Sequence, residues 1–542
     1  MQQGFSKYLE LIGHSFIYYW FILLTITTVG FILGSGILVF YTYLAVLFLY
    51  FYLYFITKNF IYPIFIILGL SLLITFSIYL SLHLWDFSWD GRTYHSVAVH
   101  ALSEGWNPYY TKDLTQFANY KHGVWVESYP KSNWIFIANN LQLLNNIDAA
   151  KFINYCLVLC TALVLFRFLK GIIANIIIRI LIIITLVLNP IVVGQINTLY
   201  LDGNLYLLML LFSISLVNYY SKRSKENFIL TTMITVILIN LKFTSLLFIA
   251  IGFILFITAS YWQSKKIPLA ILLKGVSVFV LAIVVYGYSP YINNYLKHGN
   301  AFHPIYGEKK INILKSQMNP DFLKLNRLKQ FYYSTNSIPS NDLKAFPTLA
   351  NPIKTGLDIE NYKRNNHDLR INGYGPLFII SLYLTLLGLI YSFYRKNKPD
   401  KIFYMAVSFI IMSLLVPSMW WARLVPLLWA APLFFGIYFI ANKSIVLRFL
   451  STFITLILLI NTSLLGYFTI HKNLEHSQFL DSIMMQVKAN KIFVSFKTPL
   501  AISGKKSITH KLDSYGVDYK ILNKKRCKTV GWFYDADICE PR

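Results

Sequence analysis

Apolar runs of about twenty residues recur along most of the chain, separated by short basic connections and by three long polar segments. Taken in order they predict about thirteen membrane spans: 14–33, 35–56, 60–83, 152–169, 176–194, 198–219, 228–241, 243–260, 269–288, 374–393, 402–417, 424–441 and 449–470. The runs are too long and unbroken for tilted barrel strands of roughly ten residues. Lipid offers no partner to an open backbone, so each run must satisfy its own amide groups as a helix. The expected fold class is an all-α polytopic membrane protein, a helical bundle with long outer loops.

The connections give this bundle a direction. With a cytoplasmic N-terminus, alternate connections carry Lys58; Arg167, Lys170 and Arg179; Lys222, Arg223 and Lys225; Lys265 and Lys266; Arg395, Lys396, Lys398 and Lys401; and Lys443 and Arg448. Every short basic loop then falls on one face, as the excess of Lys and Arg in cytoplasmic loops requires. The polar segments 84–150, 289–373 and 471–542 fall on the other face, where the chemistry is expected. Residues 1–470 form the membrane module. The tail 471–542 combines a helical pattern near 476–489 with strand-like runs "KIFVSF" and "DYKILN", and is expected to form a small extracytoplasmic α/β domain.

Composition sharpens this picture in two places. Lys and Arg number 49 against 23 Asp and Glu in 542 residues. In a soluble protein that balance would suggest nucleic acid; in this chain positive loops and anionic membrane lipids account for it, and no nucleic-acid partner is expected. Lys7 and Glu10 precede the first apolar run and no small-residue cleavage site follows, which predicts a retained first helix. Of the four cysteines, Cys156 and Cys160 fall in an apolar run, while Cys527 and Cys539 fall in the tail, where an oxidising compartment would let them pair.

The scarce charges concentrate in "SWDGRTYHSVAVHALSEGWNPYY", residues 88–110. Asp86, Asp90 and Tyr94 follow one another at four-residue intervals, so a helical turn leaving the membrane would set them on one face. A carboxylate there can accept a proton from an attacking hydroxyl or amine. Simple solvation after a helix end accounts for these aspartates equally well on composition alone. Asp202 opens an apolar run in "TLYLDGNLYLLMLL", where a charge within the hydrocarbon would cost about 2.5 kcal/mol or more unless it faced a polar cavity; an interfacial position is the plainer account. Lys242 in "NLKFTSL" and Arg423 in "WWARLVP" sit at the same outer boundary. Each alone would be read as snorkelling to headgroups, but together they suit a lipid-linked phosphate, Arg as a fork and Lys as a point charge.

His95 and His100 are badly spaced for a shared metal, and no paired-Cys or HExxH pattern accompanies them, so no His-ligated metal site is expected. A magnesium or manganese ion held by Asp90 or Asp202 against a phosphate stays open. No phosphate-cradling loop or dinucleotide fingerprint stands in a strand-to-helix setting.

These residues resemble the membrane-embedded GT-C glycosyltransferases, the superfamily of protein O-mannosyltransferases and bacterial lipid A aminoarabinose transferases. "WDGRTYH" (89–95) looks like the Trp-Asp-x-x-x-Tyr-His stretch of the first outer loop in bacterial members, which implies Asp90 as the catalytic base with Tyr94 and His95 shaping the site. "TLYLDGNLYLLMLL" (198–211) resembles the family's helix opening on an Asp and implies a supporting acidic role for Asp202. "NLKFTSL" (240–246) and "WWARLVP" (420–426) are similar to the segments that meet the lipid phosphate, which places Lys242 and Arg423 there. "SPYINNYLKHGNAFHPIYG" (289–307) looks like the family's Asn-Tyr-x-x-x-Gly-Asn-x-x-x-Pro segment. The likeness runs from about residue 85 to 440, in the expected order. Two features depart from it: two spans precede the helix that leads into the acidic loop, so Asp86 competes with Asp90, and "VESYPKSNW" (126–134) stands where relatives contact substrate, making Glu127 a candidate contact.

The resemblance implies a bundle of about thirteen transmembrane helices in a bacterial inner membrane, with N-terminus cytoplasmic and active site and C-terminus outside. It implies transfer of a hexosyl or pentosyl group from a polyprenyl-phosphate donor to a lipid, glycan or protein acceptor, with inversion and no required cofactor. An O-antigen-type polymerase or ligase is the rival enzyme, with Arg327, Arg364, His367 and Arg370 in the late outer loop as its expected residues. A lipid or glycan transporter is the rival of another class.

Overall fold

The computed structural model describes residues 2–110, 114, 123–266, 268–308, 310–442, 444–488, 492–496, 505–522, 528–533 and 536–540. Lys443 and Cys527 lie outside the described residues. The chain is mostly helical, and the principal helices are α1 (Gln2–Ile32), α2 (Phe40–Thr57), α3 (Ile61–Leu82), α4 (Ser96–Ser103), α5 (Ser132–Leu144), α6 (Phe152–Lys170), α7 (Ile176–Val187), α8 (Pro190–Gln195), α9 (Asp202–Ser221), α10 (Lys225–Ile239), α11 (Phe243–Ser264), α12 (Leu269–Leu281), α13 (Phe378–Tyr394), α14 (Lys401–Leu415), α15 (Ala430–Ala441), α16 (Ile445–Lys488) and α17 (Lys505–Ser514).

A helix covers the main part of each apolar run, yet among the described residues eight helices are long and apolar enough to cross a membrane by themselves. Four further apolar helices have 10–17 residues. The run 176–194 is one of the differences: Asn189 breaks it, its side chain accepting from Ile191 and Val192 N–H at 2.6 and 3.2 Å, and Pro190 then starts α8. Proline has no amide hydrogen to lose at a first helical position, so the sequence Asn-Pro ends one helix and caps the next.

Burial sorts the helices into centre and rim. α9 is buried along nearly its whole first three turns, whereas the apolar window Leu269–Tyr286 is only 6% buried and Ile61–Leu82 only 22%. Helices that are apolar all round and exposed on most sides are what a lipid-facing rim requires. α9 starts at Asp202, α10 ends three residues before Lys242, and α6 starts and α3 ends on either side of the first long polar segment. The charged residues singled out in the sequence therefore gather at one end of the bundle.

One long helix joins the bundle to the tail. α16 is a single helix of 44 residues that passes through position 470 without a break. Its last turns supply Leu480, Met484 and Val487 to the tail core, beside Ile492, Val494, Ile508, Leu512 and Ile538. Strands β1 (Ile492–Ser495), β2 (Tyr519–Leu522), β3 (Lys528–Phe533) and β4 (Ala536–Glu540) form one sheet in the order β2-β1-β4-β3. β1 pairs parallel with β2 across α17, and antiparallel with β4. The two strand-like runs of the sequence are thus β1 and β2. Cys539 in β4 is disulfide-bonded.

The tail is bolted to the loop that follows α3. Trp85 enters the tail core, its backbone N–H donating to Ser477 Oγ at 3.0 Å and its indole to Asp481 at 2.9 Å. Lys511 of α17 pairs with buried Asp148, which also holds Lys151 at 2.7 Å, and the Lys511 ammonium lies 4.0 Å from the Trp85 ring centre.

Candidate functional site

The loop that follows α3 does not make the helical face that the four-residue spacing suggests. Residues 84–88 adopt no regular secondary structure, and the helical turn begins only at Trp89, continuing through a wide turn over Gly91–His95. Asp86 therefore turns away from Asp90. Its two oxygens accept the backbone N–H groups of Ser88 and Leu199, both at 2.8 Å, and its carboxylate lies under Gly91. Burial pushes the Asp86 carboxyl up, against Lys151 and the hydrogen bonds from Ser88 and Leu199 that pull it down. The side chain is a brace joining the loop that carries Asp90 to the segment that leads into Asp202.

Gly91 belongs to the same brace. A Cβ added there would stand 2.2 Å from both Asp86 Oδ2 and Ser88 Oγ. Gly91→Ala is therefore expected to destabilise the protein by about 1–3 kcal/mol through overpacking, seen as a lower thermal midpoint in detergent; an unchanged midpoint would mean the turn can open at no cost.

Asp90, Asp202, Lys242 and Arg423 come together from four separate parts of the chain. Arg423 is the centre: Nη2 donates to Asp90 Oδ2 at 3.1 Å, Nη1 is 3.2 Å from Asp368 Oδ1, and Nε is 3.9 Å from Asp202 Oδ2. The guanidinium is also stacked between Tyr200 and Trp421, 4.9 and 4.8 Å from their ring centres. Lys242 pairs with Asp202 Oδ1, and Gln195 Nε2 donates to Asp202 Oδ2 at 3.1 Å. Gln195 is oriented in turn, because its Oε1 accepts the Gly203 N–H at 3.1 Å. Burial works against the charge on Arg423, but Asp368 and Asp90 overcome it and hold the guanidinium well above its usual range.

The aspartates differ in what remains free. Asp202 is 3% exposed and both oxygens are engaged. Asp90 is 19% exposed and held through Oδ2, while its Oδ1 has no hydrogen-bond or ion-pair partner among the described residues. Arg423 also has capacity left: among the described residues its buried Nε and Nη1 make no hydrogen bond, despite the nearby carboxylates.

An aromatic wall adjoins this cluster. Tyr94 lies on His95 at 4.2 Å between ring centres, with Trp125 and Tyr129 at 6.3 and 6.4 Å from Tyr94. His95 Nδ1 accepts from Trp134 Nε1 at 2.8 Å, which leaves the proton on Nε2 of a neutral ring. Burial pulls the His95 imidazole down to about 3, with Arg423 and Lys242 adding to the fall and Asp202 opposing it. A ring so lowered is a poor proton acceptor near neutral pH. The stability it confers is complete above its ordinary pKa of 6.5 and is lost as pH falls from there toward about 3. Between pH 6.5 and about 5 this amounts to roughly 2 kcal/mol, so His95→Asn is expected to flatten the loss of thermal stability in that window; an equal slope in both proteins would discard the buried neutral ring.

Glu127 is placed elsewhere. It pairs with Lys297 at 2.6 Å, both side chains partly exposed, and among the described residues it has no contact with the Arg423 cluster. In the polar segment 289–373, Arg327 caps α14 through the carbonyl oxygens of Leu414 and Val416 and is also outside the cluster. His367 and Arg370 do reach it: the His367 carbonyl accepts from Gln195 at 3.2 Å, and Arg370 lies 3.5 Å from Asp368 and over Trp421. Asp368 itself, Gln195, Tyr200 and Trp421 are members that sequence reasoning missed.

Both Asp202 oxygens and one Asp90 oxygen face nitrogen donors, and among the described residues no group of three His, Cys, Asp or Glu side chains is placed to hold a metal. No protein-family model matches the chain, and no curated protein or solved structure is significantly similar to it.

Proposed function

We propose that the chain is a membrane glycosyltransferase that moves a hexosyl or pentosyl group from a polyprenyl phosphate to an acceptor, in a GT-C-like bundle of about thirteen spans with the site on the extracytoplasmic face. The observation that carries this reading is the buried Arg423 bridging Asp90, Asp202 and Asp368, with one Asp90 oxygen left without a partner among the described residues. It needs no divalent cation, and none enters the steps below.

The acceptor hydroxyl or amine gives its proton to Asp90 Oδ1 as its oxygen or nitrogen bonds to the sugar C1, and the bond from C1 to the phosphate oxygen breaks with its electron pair on the phosphate. A single displacement inverts C1. Counting Asp90, Asp202 and Asp368 against Arg423, Lys242 and Arg370, the cluster is neutral before the reaction. Protonation of Asp90 weakens its hold on Arg423 as negative charge appears on the departing phosphate. Arg423 is then free to turn its unused donors to that phosphate, and Lys242 adds a point charge. Charge develops on one partner of Arg423 while it vanishes from another. The aromatic wall of Tyr94, Trp125 and Tyr129 offers apolar faces to a sugar.

The polymerase or ligase reading has its own support in His367 and Arg370, which bring the late outer loop to the cluster. A transporter is less well served, because the charged residues meet at one end of the bundle rather than along its depth.

The test is a transfer assay with purified protein. Polyprenyl phosphates carrying labelled single sugars, offered with a total envelope lipid and glycan extract, are expected to yield a labelled product and free polyprenyl phosphate. Labelling only from oligosaccharide donors would favour the polymerase or ligase; no release from any donor would discard the transferase.

A further inference from the structure

A second site lies at the other end of the bundle, where the helices turn through their basic loops. The last turns of α9, α10, the middle of α11 and α12 form a crevice lined by Tyr219, Phe228, Phe253, Phe256 and Phe279. The threonines in its wall do not make it polar. Thr231 and Thr235 turn their hydroxyls back to carbonyl groups of their own helix at 2.7 Å, leaving methyl groups toward the space. A space with such walls favours hydrocarbon over water. One of its walls is α12, in the most exposed apolar window of the bundle, so the crevice adjoins the lipid-facing rim. Gly275 makes that wall close, since an added Cβ would stand 2.1 Å from the Phe253 ring.

Two cations stand over the rings that line it. Arg223 stacks on Tyr219, Tyr220 and Phe256, 4.9–5.7 Å from the ring centres, and donates to Ser260 Oγ at 2.9 Å. Lys274, the sole charge on α12, lies 5.6 Å from the Phe228 ring centre. Both are exposed, and among the described residues neither forms an ion pair. Glu226, the acid of this turn, is engaged with Ser224 and its own backbone at the start of α10.

We infer that this crevice is a binding site for an anionic glycerophospholipid, with one acyl chain between α9 and α12 and the headgroup phosphate between Arg223 and Lys274. The aromatic walls suit hydrocarbon, and the phosphate meets a guanidinium stacked against three rings. The site is separate from Asp90 and does not depend on the transferase reading.

The experiment uses the purified full chain in detergent, incubated with dioleoyl phosphatidylglycerol or dioleoyl phosphatidylcholine and read by native mass spectrometry and by thermal midpoint. Phosphatidylglycerol is expected to be retained and to raise the midpoint more than phosphatidylcholine. Arg223→Gln with Lys274→Gln, both surface changes, is expected to weaken retention at least tenfold. Leu216→Trp, which fills the crevice and leaves both cations, is expected to weaken it as well. Equal retention of the two lipids, or phosphatidylglycerol held unchanged by the doubly substituted protein, would overturn the site. A polyprenyl phosphate that displaces phosphatidylglycerol at equal concentration would overturn its assignment to a phospholipid.

Discussion

Asp90→Asn is expected to lower sugar transfer by about 10²–10⁴-fold while the protein folds as before. The substitution keeps the shape of the side chain, and its amide oxygen can still accept from Arg423 Nη2, so the packing at that 3.1 Å contact survives. What it removes is the oxygen that takes the proton. The contrast with Asp202→Asn separates the two roles. Asp202 is saturated by Lys242 and Gln195, so its replacement leaves a buried ammonium short of its counter-charge and should be felt first in stability. Full turnover by Asp90→Asn at neutral pH would move the base elsewhere, with Asp368 the next carboxylate on the same guanidinium.

How much of this was legible in the sequence depends on contrast. Asp90, Asp202, Lys242 and Arg423 stand out because each is a charge beside a long apolar run, where desolvation is costly without a partner. Asp368 is equally close to Arg423 but sits in "NNHDLRING", where polar residues are the rule and one more acid carries no signal. Gln195 orients Asp202 without any charge, at the end of a short helix that the run 176–194 concealed. Asp86 shows the reverse error. Its spacing from Asp90 suits a helix, but Gly91 and the irregular residues before Trp89 allow it to fold beneath the turn, where two backbone amides claim it. Spacing predicts a shared face only where the chain is helical throughout.

The tail follows the same logic at larger scale. Local alternation reveals β1 and β2, and helical periodicity reveals a helix near 476–489. That α16 runs unbroken from span to tail could not be seen, because its burial switches from the bundle to the tail core near its middle. A helix that changes partners looks like two in a sequence. The consequence is mechanical: the tail, Trp85 and the Asp148 pair share one rigid connection with the loop that carries Asp90.

Arg423→Met is expected to cost about 3–5 kcal/mol of stability as well as transfer, because it leaves three carboxylates gathered without their shared cation. Methionine preserves much of the volume between Tyr200 and Trp421, so packing contributes little to the loss. Arg423→Lys restores charge without the fork: one ammonium cannot face Asp90, Asp202 and Asp368 with the same separation, and partial stability with little activity is expected. The electrostatic origin is tested by removing an orphaned carboxylate. Asp368→Asn in the Arg423→Met background should recover part of the thermal midpoint, although Asp368→Asn alone should lower it, and the cycle of four proteins should show a coupling of at least 1 kcal/mol. Additive losses would mean that each carboxylate is paid by solvent rather than by Arg423. In that case the guanidinium would be available to a phosphate from the start, and the handover from Asp90 to the leaving group would have no role.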